Sequence, residues 1–84
     1  MIIYYHPQFK NSYKNLATEV KRKAENKEII FKNNPYDSRL KTHKLHGKLK
    51  KLWSFSIDKS YRIIFEFVGK DIILLDVGTH GLYK

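Results

Sequence analysis

The stretch from Trp53 to Val77 decides the fold, and it reads WSFSIDKSYRIIFEFVGKDIILLDV. Large apolar residues alternate with polar ones through most of it, which is the period-two pattern of half-buried β-strands. Asp58-Lys59-Ser60 and Val68-Gly69-Lys70 interrupt this pattern with residues that favour turns. The stretch therefore predicts three consecutive antiparallel strands. The third, from Asp71 to Val77, is nearly all apolar, so we expect it to be central and covered on much of both faces.

The alternation also assigns side chains to the two faces of the predicted sheet. If the large residues between Tyr61 and Phe67 pack on helices, Arg62 must face away from those helices. The same rule places Asp76 on the face that Ile72 and Leu74 share.

The segment before the meander predicts one strand and two helices. Residues Ile2 to His6 are β-branched and aromatic, and Pro7 suits the first turn of a helix. Thr18 is the predicted N-cap of a second helix, which Asn33-Asn34-Pro35 ends. The order β-α-α-β-β-β predicts a single α+β domain of residues 1–84, with a small antiparallel sheet and both N-terminal helices packed on one face.

Composition excludes several classes of protein. The chain has no cysteine, so neither disulfides nor thiolate zinc sites can stabilise it. No apolar run approaches the roughly 18 residues of a membrane span, and the N-terminus lacks the pattern of a signal peptide. These features predict a cytoplasmic protein without a membrane partner.

The charge indicates a polyanionic partner. The chain has seventeen Lys and Arg residues and eight Asp and Glu residues, which gives a net charge of +9. The segment from Arg39 to Lys51 contains six of these cations and no acid. It is either a solvated loop that aids solubility or a surface for nucleic acid, anionic lipid or an acidic protein. The candidate nucleic-acid contacts are Lys41, Lys44, His46, Lys48, Lys50 and Lys51.

Four histidines are candidates for chemistry. His6 is expected to be structural because it ends the first strand. His43 and His46 lie three residues apart but lack the further ligands of a tetrahedral zinc site, so we expect no metal. His80 follows the third meander strand and is either a polar loop residue or an exposed imidazole that transfers protons near neutral pH.

Arg62 has two interpretations. It is either one half of a cross-strand ion pair with Asp58, Glu66 or Asp76, or a phosphate clamp. The planar guanidinium matches phosphate oxygens well. The excess of cations over acids leaves both interpretations open.

The C-terminal half resembles a known family in four ordered blocks. These are THKLHG (42–47), LWS (52–54), YRIIF (61–65) and LLDVGTH (74–80). Together they are similar to the RelE/StbE and YafQ-like toxins of the RelE/ParE superfamily. The resemblance implies a RelE-like fold and a toxin that is encoded beside an acidic antitoxin. It also implies metal-independent cleavage of mRNA in the ribosomal A site, without a cofactor.

The resemblance also assigns roles to individual residues. His80 matches the Gly-Thr-His histidine, the best candidate for proton transfer, and His43 is a second acid/base candidate. Arg62 matches a phosphate contact, and Tyr83 stands near the family's C-terminal aromatic residue. Tyr83 follows His80 by three residues where members often have four, and Gly81 replaces a more usual polar residue.

Two alternatives stay open at this point. A ParE-like relative would inhibit DNA gyrase by binding, although a pure binder has no need of His43 and His80. A catalytically degenerate RNA-binding relative is compatible with the altered C-terminus.

Overall fold

The computed structural model describes residues 1–47 and 51–79, and its elements follow the predicted order. They are β1 (Ile3–Tyr5), α1 (Pro7–Lys14), α2 (Thr18–Asn33), the 3₁₀ helix η1 (Ser38–Leu40), β2 (His43–Lys44), β3 (Trp53–Ser56), β4 (Arg62–Val68) and β5 (Asp71–Gly78). The five strands form one sheet in the order β1-β5-β4-β3-β2. β1 runs parallel to β5, and the other neighbours are antiparallel. The α+β prediction is confirmed, and β1 and β2 extend the meander at its two edges.

The two helices begin in different ways. Pro7 occupies the first turn of α1, and the His6 ring caps that helix because its Nδ1 accepts a hydrogen bond from the Gln8 backbone amide at 2.9 Å. His6 is therefore structural, as predicted. The prediction that Thr18 caps α2 is wrong, because Ala17 is the N-cap and no side chain caps this helix. Thr18 is already helical, whereas a capping side chain projects from the non-helical residue before the first turn.

The core lies between the helices and one face of the sheet. Phe31 of α2 stacks on Phe55 of β3 with ring centroids 4.5 Å apart, and it meets Phe65 of β4 edge-on at 5.0 Å. All three rings are fully buried. Such aromatic contacts let a small domain bury a large apolar area with few residues. The rest of the core cluster is Phe9, Val20, Ala24, Leu40, Ile57, Ile63, Ile72, Leu74 and Val77.

Two strands, β3 and β4, have buried residues on both faces, since residues 54–56 of β3 are also buried in succession. Residues 63–65 are buried in succession, so side chains on both faces of β4 are covered. In β5, Ile72 and Leu74 are buried, whereas Ile73 and Leu75 are only half-buried. The prediction that β5 is central and covered on much of both faces is confirmed in part: β5 lies between β1 and β4, but its second face is only half-buried. The helices cover only one face of the sheet, so the apolar composition of β5 did not predict how far each of its faces is buried.

A β-bulge between β4 and β5 corrects the predicted position of Asp76. Ile64 pairs with Asp76, but the next residue, Phe65, pairs with Leu74, so Leu75 is the extra residue. A bulge shifts the alternation of the strand that contains it. Leu74 therefore faces the core with Phe65, while Asp76 shares the opposite face with Ile64. The sequence shows regular alternation here and gives no sign of the inserted residue.

Candidate nucleic-acid interface

Two of the predicted site residues, His43 and Arg62, lie on the sheet face away from the helices. Paired strands align their side chains in rows across a sheet. One row contains His43, Ser54, Ile64 and Asp76, and the next contains Ser56, Arg62 and Gly78. Arg62 thus faces away from the helices, as predicted. Adjacent rows on one face are about 7 Å apart along the strands, and β3 separates β2 from β4 by about 10 Å across the sheet. His43 and Arg62 therefore share one face without contacting each other, and a bound RNA strand could span them.

His43 is exposed on the edge strand β2, and its ring is held in one orientation. Its Nδ1 lies 3.0 Å from the Lys41 carbonyl oxygen. A carbonyl oxygen only accepts hydrogen bonds, so Nδ1 must carry the proton of the neutral imidazole. Nε2 then holds the lone pair and is the atom that can accept a proton. The arrangement suits a general base.

The backbone of Lys41 is held in an unfavourable conformation to make this contact. Lys41 has φ 52° and ψ 41°, in the left-handed region, and within residues 1–47 and 51–79 it is the only non-glycine residue with positive φ. This conformation costs a residue with a side chain roughly 1–2 kcal/mol. Strain of this kind often accompanies a functional site. Here it ends η1 and leaves the Lys41 carbonyl bonded to the His43 ring.

Arg62 is oriented by a serine and has no acidic partner in the described part of the chain. Its Nη1 donates to the Ser56 hydroxyl at 2.6 Å. Of the three predicted ion-pair partners, Asp58 forms its salt bridge with Lys23 at 3.4 Å instead. Neither of the other two carboxylates forms an ion pair with Arg62. The arrangement favours the phosphate-clamp interpretation of Arg62.

A cavity of about 350 Å³ opens beside Arg62 at the end of the sheet. We call it the cationic cavity. Its lining comes from α2, η1 and the β3–β4 turn, and consists of Lys27, Arg39, Lys41, Ser56, Ile57, Asp58, Lys59 and Arg62. Five of these residues are cations and one is an acid. The cavity thus brings predicted contacts Lys41 and Arg62 together.

Lys27, Arg39 and Lys59 line the cavity as well, and sequence reasoning missed them as candidate binding residues. Arg39 lies in the basic segment but was not singled out within it. Lys27 lies on α2, and its ammonium donates to the Arg39 carbonyl oxygen at 3.3 Å. That contact joins α2 to η1, so no local sequence pattern predicts it. The one signal was spacing, because Lys27 precedes the core residue Phe31 by one helical turn and so borders the buried stripe.

Two more of the predicted contacts, Lys44 and Lys51, lie at a second hollow, of about 370 Å³. It is lined by Lys44, Lys51, Trp53, Glu66 and Phe67. β4 extends beyond the point where Trp53 pairs with Phe65, so the end of β4 forms one wall. The structure therefore brings Lys44 and Lys51 together but separates them from Lys41. His46 is exposed and lines neither space.

Trp53 is half-buried and packs against the core. Its ring meets Phe67 edge-on at 5.3 Å and Tyr36 edge-on at 5.9 Å. Packing is thus its main structural role, in agreement with the β-strand prediction.

Four of the predicted site residues lie outside the described residues. They are His80, Tyr83, Lys48 and Lys50. β5 ends at Gly78, two residues before His80. In the described ranges, no helix is long and apolar enough to cross a bilayer.

Several solved structures have this fold. YafQ from E. coli strain BL21(DE3) superposes with a TM-score of 0.80 at 21% identity, over 96% of this chain and 94% of that one. A YoeB/ParE toxin from Agrobacterium tumefaciens gives 0.77 at 16% identity, over 95% and 99%. A chain of the archaeal RelE-RelB complex from Pyrococcus horikoshii OT3 gives 0.72 at 20% identity, over 95% and 94%. At these identities the likeness establishes the fold.

The sequence comparison identifies the family as well as the fold. No curated protein matches the chain closely enough to count as a relative. A family profile, described as "Bacterial toxin of type II toxin-antitoxin system, YafQ", matches residues 1–82. The match spans nearly the whole chain and includes all four of the blocks that resemble RelE/StbE and YafQ-like toxins. The chain therefore belongs to the YafQ family of type II toxin–antitoxin toxins.

Proposed function

We propose that residues 1–84 form one toxin domain that cuts mRNA in the ribosomal A site and so stops translation. The observation that carries this proposal is the pairing of two oriented groups on one sheet face. His43 presents Nε2 because Lys41 holds Nδ1, and Arg62 presents its guanidinium because Ser56 holds one end. A base and a phosphate-binding cation on neighbouring rows are what RNA cleavage needs.

The proposed chemistry uses a nucleophile that RNA itself carries, the 2′-hydroxyl. His43 Nε2 takes the proton of this hydroxyl as its oxygen attacks the adjacent phosphorus. The bond to the 5′-oxygen breaks, and His80 protonates that leaving oxygen, which gives a 2′,3′-cyclic phosphate and a 5′-hydroxyl end. Arg62 balances the charge that develops on the phosphate, and Tyr83 completes the proposed site. Lys44 pairs with Trp53 on the other sheet face, so its proposed contact is with another part of the RNA. Acid–base catalysis of this kind typically contributes about 10²–10⁴-fold.

The proposal extends to the RNA surface. Lys41, Lys44, His46, Lys48, Lys50 and Lys51 are the proposed contacts. Because phosphate neutralisation releases counterions, binding should weaken steeply as salt rises. The reaction as proposed requires no cofactor and takes place in the cytoplasm, where ribosomes and mRNA meet.

We also propose that an acidic cognate antitoxin binds this toxin. The net charge of +9 supports an acidic partner. Solved complexes of similar folds pair YafQ with DinJ and RelE with RelB. A segment of such an antitoxin would fold over the basic surface and block access of RNA.

Induced expression in a bacterium tests the activity. Wild type is compared with His80→Ala and His43→Ala, with growth and primer extension on a reporter mRNA as readouts. Growth arrest with new mRNA 5′ ends, both lost in the variants, is the expected result. Arrest without new ends would contradict RNA cleavage, and a gyrase supercoiling assay would then test the ParE-like alternative. Absence of arrest would indicate a degenerate relative.

A further inference from the structure

The cationic cavity is lined by more cations than the neighbouring acids can balance. Of its five cations, Arg39 is held by a two-pronged hydrogen bond to Asp37, at 2.9 Å for each prong. In residues 1–47 and 51–79, no carboxylate forms an ion pair with Lys27, Lys41, Lys59 or Arg62. Four cations around one cavity repel each other and therefore destabilise the free protein.

The single acid of the cavity offsets only part of this charge. Both oxygens of Asp58 are engaged elsewhere. Oδ1 accepts hydrogen bonds from the Ser60 and Tyr61 backbone amides, both at 2.8 Å, and Oδ2 pairs with Lys23. Burial acts to raise the pKa of Asp58, but these hydrogen bonds outweigh it and lower the pKa. Asp58 thus fixes the β3–β4 turn, which carries Lys59, and the cavity lining keeps an excess of cations over acids.

The donors converge from three separate elements. Lys27 comes from α2, Lys41 from the end of η1, and Arg62 from β4 with its guanidinium held by Ser56. Lys27 is tied to η1 by its bond to the Arg39 carbonyl oxygen. A cavity bordered by ammonium groups, a guanidinium and a hydroxyl matches the tetrahedral oxygens of a phosphate.

From this geometry we infer that the cationic cavity binds an RNA backbone phosphate next to the one that is cut, with Lys27 and Lys59 as its contacts. The inference rests on the proposed ribonuclease function. His43 does not line the cavity, whereas Arg62 lines it and also lies in the row next to that of His43. Arg62 therefore stands at the boundary between the reacting phosphate and its neighbour. The bound strand runs from the row of His43 past Arg62 towards the β3–β4 turn.

The test measures binding without cleavage. The probe is a short 2′-O-methyl oligoribonucleotide, whose blocked 2′-oxygen cannot attack. The test variant is Lys27→Gln with Lys59→Gln. The control is Lys14→Gln with Lys70→Gln, which loses the same charge at exposed positions outside the cavity. Affinity is measured over a range of salt concentrations, and backbone amide resonances of the parent protein are followed during titration.

We expect the test variant to bind roughly tenfold more weakly than the control. The slope of log affinity against log salt should fall by about 0.7, the value for one phosphate of a single strand. Amides of the β3–β4 turn and of η1 should shift when RNA is added. The test variant should melt at or above the temperature of the control, because like charges have been removed. Lys59→Gln alone, an exposed turn position, repeats the test if the double variant folds poorly.

Two outcomes separate this inference from the function on which it rests. Equal affinities and salt slopes for test and control variants, in a protein that still cuts mRNA, would overturn the cavity as a phosphate site and leave the ribonuclease intact. Weakened binding by the test variant, in a protein that does not cut mRNA, would support the cavity and contradict the ribonuclease.

Discussion

The His43 ring is bonded through Nδ1 to the carbonyl oxygen of Lys41, two residues before it, at 3.0 Å. A histidine on an exposed edge strand would otherwise rotate freely between rotamers. This bond fixes both the orientation and the tautomer of the ring. The edge position leaves the ring exposed, so the same short segment supplies the proposed base and the group that aligns it.

Replacement of His43 by alanine should slow mRNA cleavage by about 10²–10⁴-fold, since general-base catalysis is lost. His43 is exposed, so the free energy of unfolding should change little. Primer extension measures the cleavage, and urea denaturation measures the stability. His46→Ala removes a second exposed histidine and should reduce cleavage far less. Equal losses in the two variants would show that His43 contributes only charge or contact.

Replacement of Lys41 by glycine should raise the stability of the protein and lower its activity. Glycine adopts positive φ without the steric cost of a side chain, so stability should rise by about 1 kcal/mol. Cleavage should fall, because a cation of the cationic cavity is lost and the segment that aligns His43 loosens. Lys44→Gly is the matched control, and in an ordinary strand conformation it should lower stability by about 0.5–1 kcal/mol. A loss of stability in both variants would contradict strain at Lys41.

Replacement of Ser56 by alanine should act on catalysis through Arg62. The hydroxyl accepts the Arg62 hydrogen bond at 2.6 Å, and its loss leaves the guanidinium free to reorient. We expect kcat to fall more than KM rises, with a stability cost of about 1 kcal/mol. Arg62→Lys keeps the charge but loses the planar guanidinium with its paired N–H donors, and it should reduce kcat further. Full activity in both variants would show that Arg62 does not contact the reacting phosphate.

Replacement of Phe31 by alanine should destabilise the whole domain. Its ring is fully buried between Phe55 and Phe65, and truncation of such a residue typically costs about 3–5 kcal/mol. That is a large part of the stability of an ordinary domain. Chemical denaturation should show an earlier midpoint. Ile29→Ala, an exposed position on the same helix, should change the midpoint only slightly.

Asp37 should contribute to the acid sensitivity of the fold. A side-chain hydrogen bond from Arg39 lowers the pKa of Asp37 from 3.8 to about 2. Because the folded value lies below the unfolded one, the stabilising contribution is complete above about pH 4 and is lost as the pH falls towards 2. Asp37→Asn should therefore flatten this part of a plot of melting temperature against pH. An unchanged plot would contradict the ion pair as a source of stability.

The fold was largely readable from the sequence because its signals are local. Alternation from Trp53 to Val77 predicted the meander, and Pro7 marked the start of the first helix. Alternation also predicted that Arg62 faces away from the helices, since side chains in a strand point to opposite faces in turn. The residues of the resemblance were readable for the same reason, because each block is a short run of the chain.

The remaining features depend on contacts between segments that are distant in the sequence. The bulge at Leu75 reversed the expected face of Asp76, because register is decided by the pairing of two strands. Ala17 rather than Thr18 occupies the N-cap position of α2, and the backbone conformation of these two neighbours is not encoded in a local pattern. The cationic cavity exists because α2, η1 and the β3–β4 turn converge. The sequence by itself determined the order of the elements and the excess of positive charge, and the tertiary structure decided which cations share a cavity and lack acidic partners.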